Sequence, residues 1–201
     1  MMFAAVVLAA GEARRMGRNK LLLEVAGRPI LDWVLDAIDA SAVDEVIVVL
    51  GHRPEELRPL VEAHGATVVL NPDYDEGMVF SFKAGLRRVS ADGAFLVLGD
   101  QIGLKPVLLN RMASVMEADP EALIVSPAHR GRRGHPVLFR RSLFPEILGL
   151  GPGETVRDVV FRHEAAHRLV EGDPWCLLDI DTPEDLEKAR RLFGASPDAA
   201  P

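Results

Sequence analysis

The sequence predicts one domain of the three-layer α/β/α class, with helices on both faces of a mostly parallel sheet. Apolar runs of strand length alternate with amphipathic segments of helix length along most of the 201 residues. The runs are apolar at nearly every position, as expected for strands buried on both faces. Hydrophobic residues make up 48% of the chain and charged residues 26%, which is typical of a globular domain. Together these features predict a Rossmann-like arrangement.

The first two thirds of the chain follow this alternation closely. Phe3–Leu8 predicts the first buried strand. Pro29–Ala40 predicts the first helix, because Pro29 suits a first turn and the apolar residues after it form one stripe. The further predicted strands are Glu45–Leu50, Thr67–Leu70, Ala94–Leu98 and Leu123–Ser126, and the further predicted helices are Glu55–His64, Met78–Val89 and Pro106–Ala118.

The last third is less regular. It predicts strands at Pro136–Phe139 and Cys176–Ile180, and helices at Ser142–Leu148, Glu154–His163 and Pro183–Phe193. No linker or internal repeat divides the chain, so we predict one domain over residues 1–194. Residues 195–201 are small and Pro-containing and predict a disordered tail.

Composition argues against several classes of protein. No apolar run reaches the roughly 18 residues of a membrane helix. The apolar start lacks a basic n-region and continues into a Gly/Arg loop, so it indicates a strand and not a signal peptide. A net charge of −7 disfavours nucleic-acid binding. The single cysteine, Cys176, fits a reducing cytoplasm, which is the predicted location.

Two basic clusters interrupt this acidic chain. Local positive charge on an acidic protein suggests a small anionic ligand. The second cluster, taken alone, is explained more simply as surface arginines. The clusters are Arg14, Arg15, Arg18 and Lys20, and then Arg130, Arg132 and Arg133.

The loop after the first strand predicts a nucleotide or phosphate site. Ligands of open parallel sheets bind beyond the carboxyl ends of the strands. Ala9, Ala10 and Gly11 allow close approach to the backbone, and Arg15 and Lys20 can neutralise a polyphosphate. The segment is neither a Walker A loop nor GxGxxG, so a plain basic turn between strand and helix remains the alternative.

Two aspartates predict a magnesium site at the same edge. Asp100 follows a predicted strand, and Asp181 follows the last one. Mg²⁺ on a nucleotide takes one or two carboxylates, with phosphates and water completing its shell. Asp100 could instead be an ordinary turn residue. Asp181 could instead serve only as the cap of the last helix, although Thr182 is better placed for that role.

The first loop resembles the LAAGxSxRMGxxK signature of the molybdenum-cofactor nucleotidyltransferases, in particular the cytidylyltransferases. Ala13 departs from the usual Ser of that signature. The resemblance implies the nucleotide-diphospho-sugar transferase fold and Mg²⁺-dependent transfer of a nucleoside monophosphate with release of pyrophosphate. The residues that match are Leu8, Ala9, Ala10, Gly11, Arg15, Met16, Gly17 and Lys20.

The same resemblance implies roles for individual residues. Residues 99–101 resemble a GDQP or GDMP motif, although Ile102 replaces the Pro, and residues 179–185 resemble a DIDTPEDL motif. These motifs make Asp100 and Asp181 metal ligands. Catalytic roles fall to Arg15, Lys20 and Asp100. The segment from Asn71 to Ser81 resembles the family's N-x₅-G-x-x-x-S segment. The implied nucleotide-binding residues are Leu8, Ala9, Ala10, Gly11, Arg15, Lys20, Asn71 and Ser81.

The acceptor side resembles the family less closely. Residues 131–139 contain a GHPV motif, which implies that Gly134 and His135 bind the acceptor. Residues 151–158 replace the family's GDxGAR and keep Arg157 as a third acceptor-binding residue, but lose the Asp. The resemblance implies molybdopterin as the phosphate acceptor and a molybdoenzyme as a possible recipient of the product, and the altered motif leaves acceptor identity open.

Several alternatives remain at this point. The nucleotide is CTP if Ala10 is diagnostic, because the guanylyl branch has LAGG where this chain has LAAG. Guanylyl transfer and a sugar-1-phosphate acceptor remain open. A non-enzymatic chaperone for the molybdopterin cofactor is disfavoured, because a carrier need not keep Lys20, Asp100 and Asp181.

Residues 163–167 match the zinc-protease motif HExxH. That motif needs one continuous helix through both histidines. The segment 168–172 has the pattern of a strand, so His167 is expected at or beyond the helix end. We therefore interpret the match as accidental.

Overall fold

The computed structural model describes residues 1–11, 19–180 and 182–194. Its strands are β1 Phe3–Ala9, β2 Glu24–Val25, β3 Arg28–Pro29, β4 Glu45–Leu50, β5 Thr67–Leu70, β6 Gly93–Leu98, β7 Ile124–His129, β8 Arg132–Arg133, β9 Val137–Arg140 and β10 His167–Glu171. Its helices are α1 Ile30–Asp39, α2 Pro54–Ala63, α3 Met78–Leu86, α4 Pro106–Ala118, α5 Phe144–Gly149, α6 Val156–Arg162 and α7 Pro183–Gly194.

The central sheet is mostly parallel, as predicted. Its strand order is β10-β7-β9-β6-β1-β4-β5, and β8 pairs only with β7. β1 lies parallel to both β4 and β6 at the centre. β9 is antiparallel to both of its neighbours, β6 and β7. β2 and β3 form a separate short hairpin that the sequence did not predict.

Helices cover both faces of the sheet, which confirms the three-layer class. Successive residues of β1 point to opposite faces. Ala5 and Val7 pack in a cluster with the apolar sides of α1, α2, α4 and α7. Ala4 and Val6 pack in a second cluster with α3, α5 and α6. These four residues are fully buried, which explains why the strand is apolar at every position.

The antiparallel strand β9 determines where α5 ends. Arg140, at the end of β9, pairs with Gly93 at the start of β6, so β9 runs from the carboxyl edge of the sheet to its amino edge. The helix that follows returns in the opposite direction. Residues 150–155, between α5 and α6, are therefore brought back towards the carboxyl edge of β1, β4 and β6.

The predicted strand at Cys176–Ile180 is wrong. Residues Pro174–Leu177 form a 3₁₀ turn, and residues 178–180 have no regular structure. The side chain of Asp173 accepts a hydrogen bond from the backbone of Trp175 at 2.9 Å and begins the turn. Local bonds thus satisfy the backbone, while Cys176 and Ile180 are still buried in the core. The apolar run reflected burial and not sheet pairing.

Other boundaries differ slightly from the predictions. α3 ends at Leu86 and not at Val89, and the predicted helix at Ser142–Leu148 is a 3₁₀ turn followed by α5. The predicted tail, residues 195–201, lies outside the described residues. No helix within the described ranges has the length and hydropathy to cross a membrane.

Candidate active site

A cleft of roughly 290 Å³ opens at the carboxyl end of β1. This is the position at which open parallel sheets bind ligands. The residues predicted from the first loop that the structure describes lie in its wall, together with Ser81 and Asp100. The residues that line it are Leu8, Ala9, Ala10, Gly11, Lys20, Leu21, Tyr74, Met78, Ser81, Leu98, Asp100 and Asp179.

Small residues let the backbone segments at this edge approach each other closely. A Cβ atom at Gly99 would lie 2.9 Å from the carbonyl oxygen of Leu8. A Cβ atom at Gly51 would lie 2.5 Å from Cβ of Tyr74 and 2.7 Å from the carbonyl oxygen of Ala10. The loops that follow β1, β4 and β6 are thereby held together, and the cleft has a floor made of main chain.

An ion pair between Lys20 and Asp100 lies in the wall of the cleft. The amine of Lys20 is 2.5 Å from a carboxylate oxygen of Asp100 and also donates to the carbonyl of Ile180 at 3.0 Å. The two side chains are 24% and 11% exposed, so the pair is partly desolvated. Three segments that are distant in sequence therefore meet around one ammonium group.

This meeting point brings two described carboxylates to the cleft. Asp100 and Asp179 both line it. Carboxylate oxygens are hard ligands that suit Mg²⁺ or Mn²⁺, and a lysine beside them suits a phosphate chain. The donor set therefore fits a divalent metal bound together with a nucleotide.

Two predicted residues lie outside the described part of the chain, namely Arg15 and Asp181. The neighbours of Asp181 are described, and Ile180 contacts Lys20 as stated above. The expectation that Thr182 begins the last helix is confirmed. The backbone amide of Asp185 donates to the Thr182 hydroxyl at 3.2 Å, and the Thr182 amide donates to the Asp185 carboxylate at 2.9 Å.

Asn71 and Ser81 form a buried pair beside the cleft. The side-chain amide of Asn71 donates to the Ser81 hydroxyl at 3.0 Å, and both residues are no more than 5% exposed. Ser81 lines the cleft, whereas Asn71 lies behind it. Asn71 also accepts a hydrogen bond from the backbone of Asp73 at 3.2 Å, so it shapes the turn after β5 as well.

Sequence reasoning did not single out five of the lining residues. Leu21 and Leu98 have the pattern of ordinary core residues, and Met78 that of a helix start. Tyr74 is the one tyrosine of the chain and lies within the segment from Asn71 to Ser81, which was a usable signal. Asp179 lies within the DIDTPEDL-like motif, in which only Asp181 has an implied role. The Tyr74 hydroxyl lies 3.4 Å from Nδ1 of His52 at the same edge.

Gly134 and His135 lie beside the cleft and do not line it. A Cβ atom at Gly134 would be 2.1 Å from the carbonyl oxygen of Cys176, so no other residue fits. The His135 amide donates to that same carbonyl at 2.9 Å, and the His135 carbonyl accepts from the Gln101 side chain at 2.6 Å. This segment is thus tied to the residue next to Asp100.

Burial of the His135 ring favours its neutral form. Burial lowers its pKa below the usual value, and attraction to Asp100 offsets part of that effect.

The third residue assigned to the acceptor, Arg157, is exposed in the first turn of α6. Its guanidinium carbon lies 6.0 Å from the ring centroid of Phe161. It does not line the cleft as shaped here, although α6 begins at the carboxyl edge of the sheet.

The two histidines of the HExxH match occupy separate environments. α6 ends at Arg162, and His167 begins β10, which confirms that the helix does not continue. His163 lies 2.6 Å from the Glu146 carboxylate, and Nε2 of His167 lies 2.7 Å from the Ser126 hydroxyl. Glu164, between them, pairs with Arg133.

A second acidic group lies away from the cleft. Asp32, Asp36 and His64 have potential ligand atoms within 4.8 Å of one another. Both aspartates already pair with Arg28, and His64 lies 2.9 Å from Asp32. None of these three residues is among those that line the cleft.

The fold and the cleft together define a nucleotidyltransferase. The chain belongs to the family of the MobA-like NTP transferase domain, whose sequence model matches residues 5–193. The matched range includes the loop after β1, Lys20 and Asp100.

Similar proteins support that assignment along nearly the whole chain. The molybdenum cofactor cytidylyltransferase of Escherichia coli is 28% identical over 94% of this chain and 95% of its own length. A probable molybdenum cofactor guanylyltransferase of Trichormus variabilis is 27% identical over 98% and 95%. The crystal structure of Rv0371c from Mycobacterium tuberculosis matches with a TM-score of 0.84 and 30% identity over 94% and 97%, and its complex with manganese matches with a TM-score of 0.80.

Proposed function

We propose that the protein transfers a nucleoside monophosphate, with CTP as the favoured donor, to the phosphate of a molybdopterin-type acceptor and releases pyrophosphate. The observation that carries this proposal is the Lys20–Asp100 pair in a cleft whose floor is the Leu8–Gly11 backbone. The cytidylyl- and guanylyltransferase relatives act on molybdenum cofactor by their names, and this supports the acceptor class.

In the proposed reaction, a phosphate oxygen of the acceptor attacks the α-phosphorus of the nucleotide in line. The bond between the α-phosphorus and the bridging oxygen breaks, and pyrophosphate leaves. Such chemistry depends mainly on positioning and charge neutralisation, so no protein nucleophile is needed. Lys20 neutralises charge that moves onto the pyrophosphate, and the amides near Ala10 and Gly11 contact the nucleotide.

Asp100 would hold the divalent metal together with Asp179 or Asp181. A bound Mg²⁺ neutralises phosphate charge and stabilises the leaving pyrophosphate. We propose Mg²⁺ as the working ion, and the manganese complex of Rv0371c supports a divalent site in this family.

Three further details belong to this proposal. Arg15 would grip the triphosphate, and Asn71 and Ser81 would fix the base and ribose. Gly134, His135 and Arg157 would serve the acceptor side, and a molybdoenzyme would receive the product. We place the reaction in the cytoplasm, with which a single buried thiol at Cys176 agrees.

Base preference rests on Ala10, which stands where the guanylyl branch has glycine. The carbonyl of Ala10 accepts the backbone amide of His52 at 3.1 Å, so the main chain at this position is fixed. An added methyl group on a fixed backbone reduces the space for a larger purine. This favours CTP over GTP.

The test is pyrophosphate release with each of the four nucleoside triphosphates, purified molybdopterin, and Mg²⁺ or Mn²⁺. We expect CTP to give the highest kcat/KM and omission of acceptor to abolish release. Preference for GTP would make the protein a guanylyltransferase. Tight retention of the cofactor without pyrophosphate release from any nucleotide would contradict the proposal and favour a chaperone.

A further inference from the structure

Lys83 is a buried lysine that the proposed chemistry does not use. It lies on α3 and is 7% exposed. Its amine donates to the carbonyl oxygen of Leu150 and lies 5.5 Å from the ring centroid of Phe80. Within the described ranges of the chain, no carboxylate forms an ion pair with it. Burial of an ammonium group is costly in free energy, so a lysine at this position indicates a specific structural or functional role.

The partner of Lys83 is the end of a helix. Leu150 directly follows α5, and the last carbonyls of a helix carry partial negative charge. That charge compensates the ammonium in place of a carboxylate. The contact therefore depends on α5 ending where it does, directly beside α3.

Residues 150–155 follow α5 on the α3 face of the sheet. Leu150 packs in the same apolar cluster as Leu8, Tyr74 and Leu98, all three of which line the cleft. The antiparallel direction of β9 brings this segment to the carboxyl edge, as described above. It overlaps residues 151–158, which stand where the GDxGAR motif of the resembled family is altered. We call it the 150–155 loop.

The 150–155 loop is closed by its own contacts at its far end. The amide of Gly151 donates to the Glu154 carboxylate at 2.7 Å, and Gly153 has a left-handed φ of +83°. Thr155 then begins α6 with reciprocal hydrogen bonds to Asp158. At its start, the side chain that ties the loop to α3 is Lys83. A loop with two glycines would otherwise have considerable freedom.

We propose that Lys83 is a positioning residue that holds the 150–155 loop against α3. That helix carries Met78 and Ser81 in the cleft wall, so the contact fixes the acceptor side relative to the nucleotide side. The reference to an acceptor rests on the proposed function. Without Lys83 the nucleotide site stays intact, but the acceptor is no longer aligned with the α-phosphorus.

The experiment compares Lys83→Met, which keeps the length and removes the charge, with Lys83→Arg, which keeps a charged donor. Lys188→Met, on the exposed side of α7, is the matched control. Three quantities are measured: the Kd for CTP with Mg²⁺, the transfer rate against molybdopterin concentration, and hydrogen exchange of peptides covering residues 144–156. Glu154→Ala, an exposed change that opens the same loop, decides the question if Lys83→Met does not fold.

We expect Lys83→Met and Glu154→Ala to raise exchange in the 150–155 loop and to lower kcat/KM for the acceptor by about tenfold or more, because small misplacements are costly in transfer chemistry. The Kd for CTP should stay within about twofold of wild type, and Lys83→Arg should recover most of the loss. Unchanged exchange, or an equal loss of CTP binding, would overturn the proposal. If the wild type transfers nothing, the proposed function fails, and the exchange and CTP-binding measurements still decide the role of Lys83.

Discussion

At the scale of single residues, the contact between Lys20 and Asp100 holds the cleft together. The two residues are 80 positions apart, and the pair joins the loop after β1 to the loop after β6. A partly buried pair of this kind contributes little to stability, because desolvation offsets much of the attraction. Its position at the ligand edge of the sheet is better explained by function.

We predict that Lys20→Ala weakens nucleotide binding and slows turnover by on the order of 100-fold, because the charge of Lys20 matters most as negative charge reaches the pyrophosphate. Binding is measured by calorimetry, and turnover by pyrophosphate release. Lys105→Ala, which removes a lysine paired with Asp173, is the control. Unchanged binding and turnover would show that the first loop is not the nucleotide site.

Gly134 is the residue whose replacement we expect to disturb the acceptor side most. Gly134→Ala places a methyl group against the Cys176 carbonyl, so the backbone must shift, at a cost of about 1–3 kcal/mol in the free energy of unfolding. Gly149→Ala is the control, because a Cβ atom there meets nothing within 4 Å. Urea unfolding of both variants is the measurement, and equal stability would contradict the close approach described here.

At the scale of elements, His64 joins the end of α2 to α1. Its ring nitrogens lie 2.6 Å from Asp39 and 2.9 Å from Asp32, while Asp36 is 4.0 Å away and Arg28 pairs with Asp32 and Asp36. Burial alone would lower the pKa of His64, but the hydrogen bonds to Asp39 and Asp32 outweigh it and raise the pKa.

The contribution of His64 to the free energy of unfolding depends on pH. Because the folded pKa of His64 is raised, its stabilisation is complete below the unfolded pKa of about 6.5 and is lost as pH rises through the folded value. We predict that the difference in free energy of unfolding between wild type and His64→Gln shrinks from pH 6 to pH 9, measured by urea titration. A difference that grows over that range would contradict the assignment.

The two histidines of the HExxH match belong to the segments that follow α6. Since His163 and His167 both lie beyond the end of α6 and bond separately to Glu146 and Ser126, replacing both with Gln should leave nucleotidyl transfer within about twofold of wild type. Metal analysis of the purified protein is the second measurement. Zinc bound at one per chain, and lost together with activity in the double variant, would reverse this conclusion.

At the scale of the whole molecule, the sequence predicted the layers because its central strands are almost entirely apolar and its helices carry apolar stripes. It failed for Cys176–Ile180, where an apolar run packs in the core without joining the sheet. The short hairpin of β2 and β3 was also missed, because two-residue strands leave no periodic signal. Local patterns report burial and helical period, and they do not report which buried segment pairs with which.

The same distinction applies to the site. The first loop and Asp100 could be placed in advance, because they follow predicted strands of one parallel sheet. The contact of Lys83 with Leu150 could not, because it depends on the direction of β9 and on where α5 ends. Tyr74 lies in a 3₁₀ turn and Asp179 in a segment without regular structure, and the sequence does not specify the geometry of either segment.

The most direct test of the central claim is the Mg²⁺ dependence of transfer in Asp100→Asn, compared with Asp36→Asn from the acidic group on α1. We predict that Asp100→Asn keeps a folded chain but loses on the order of 100-fold or more in kcat, with no recovery at saturating Mg²⁺, because the amide does not replace a carboxylate ligand. Asp36→Asn should stay near the wild-type rate. A near wild-type rate for Asp100→Asn, or a larger loss for Asp36→Asn, would contradict a metal-assisted nucleotidyl transfer in the cleft beyond β1.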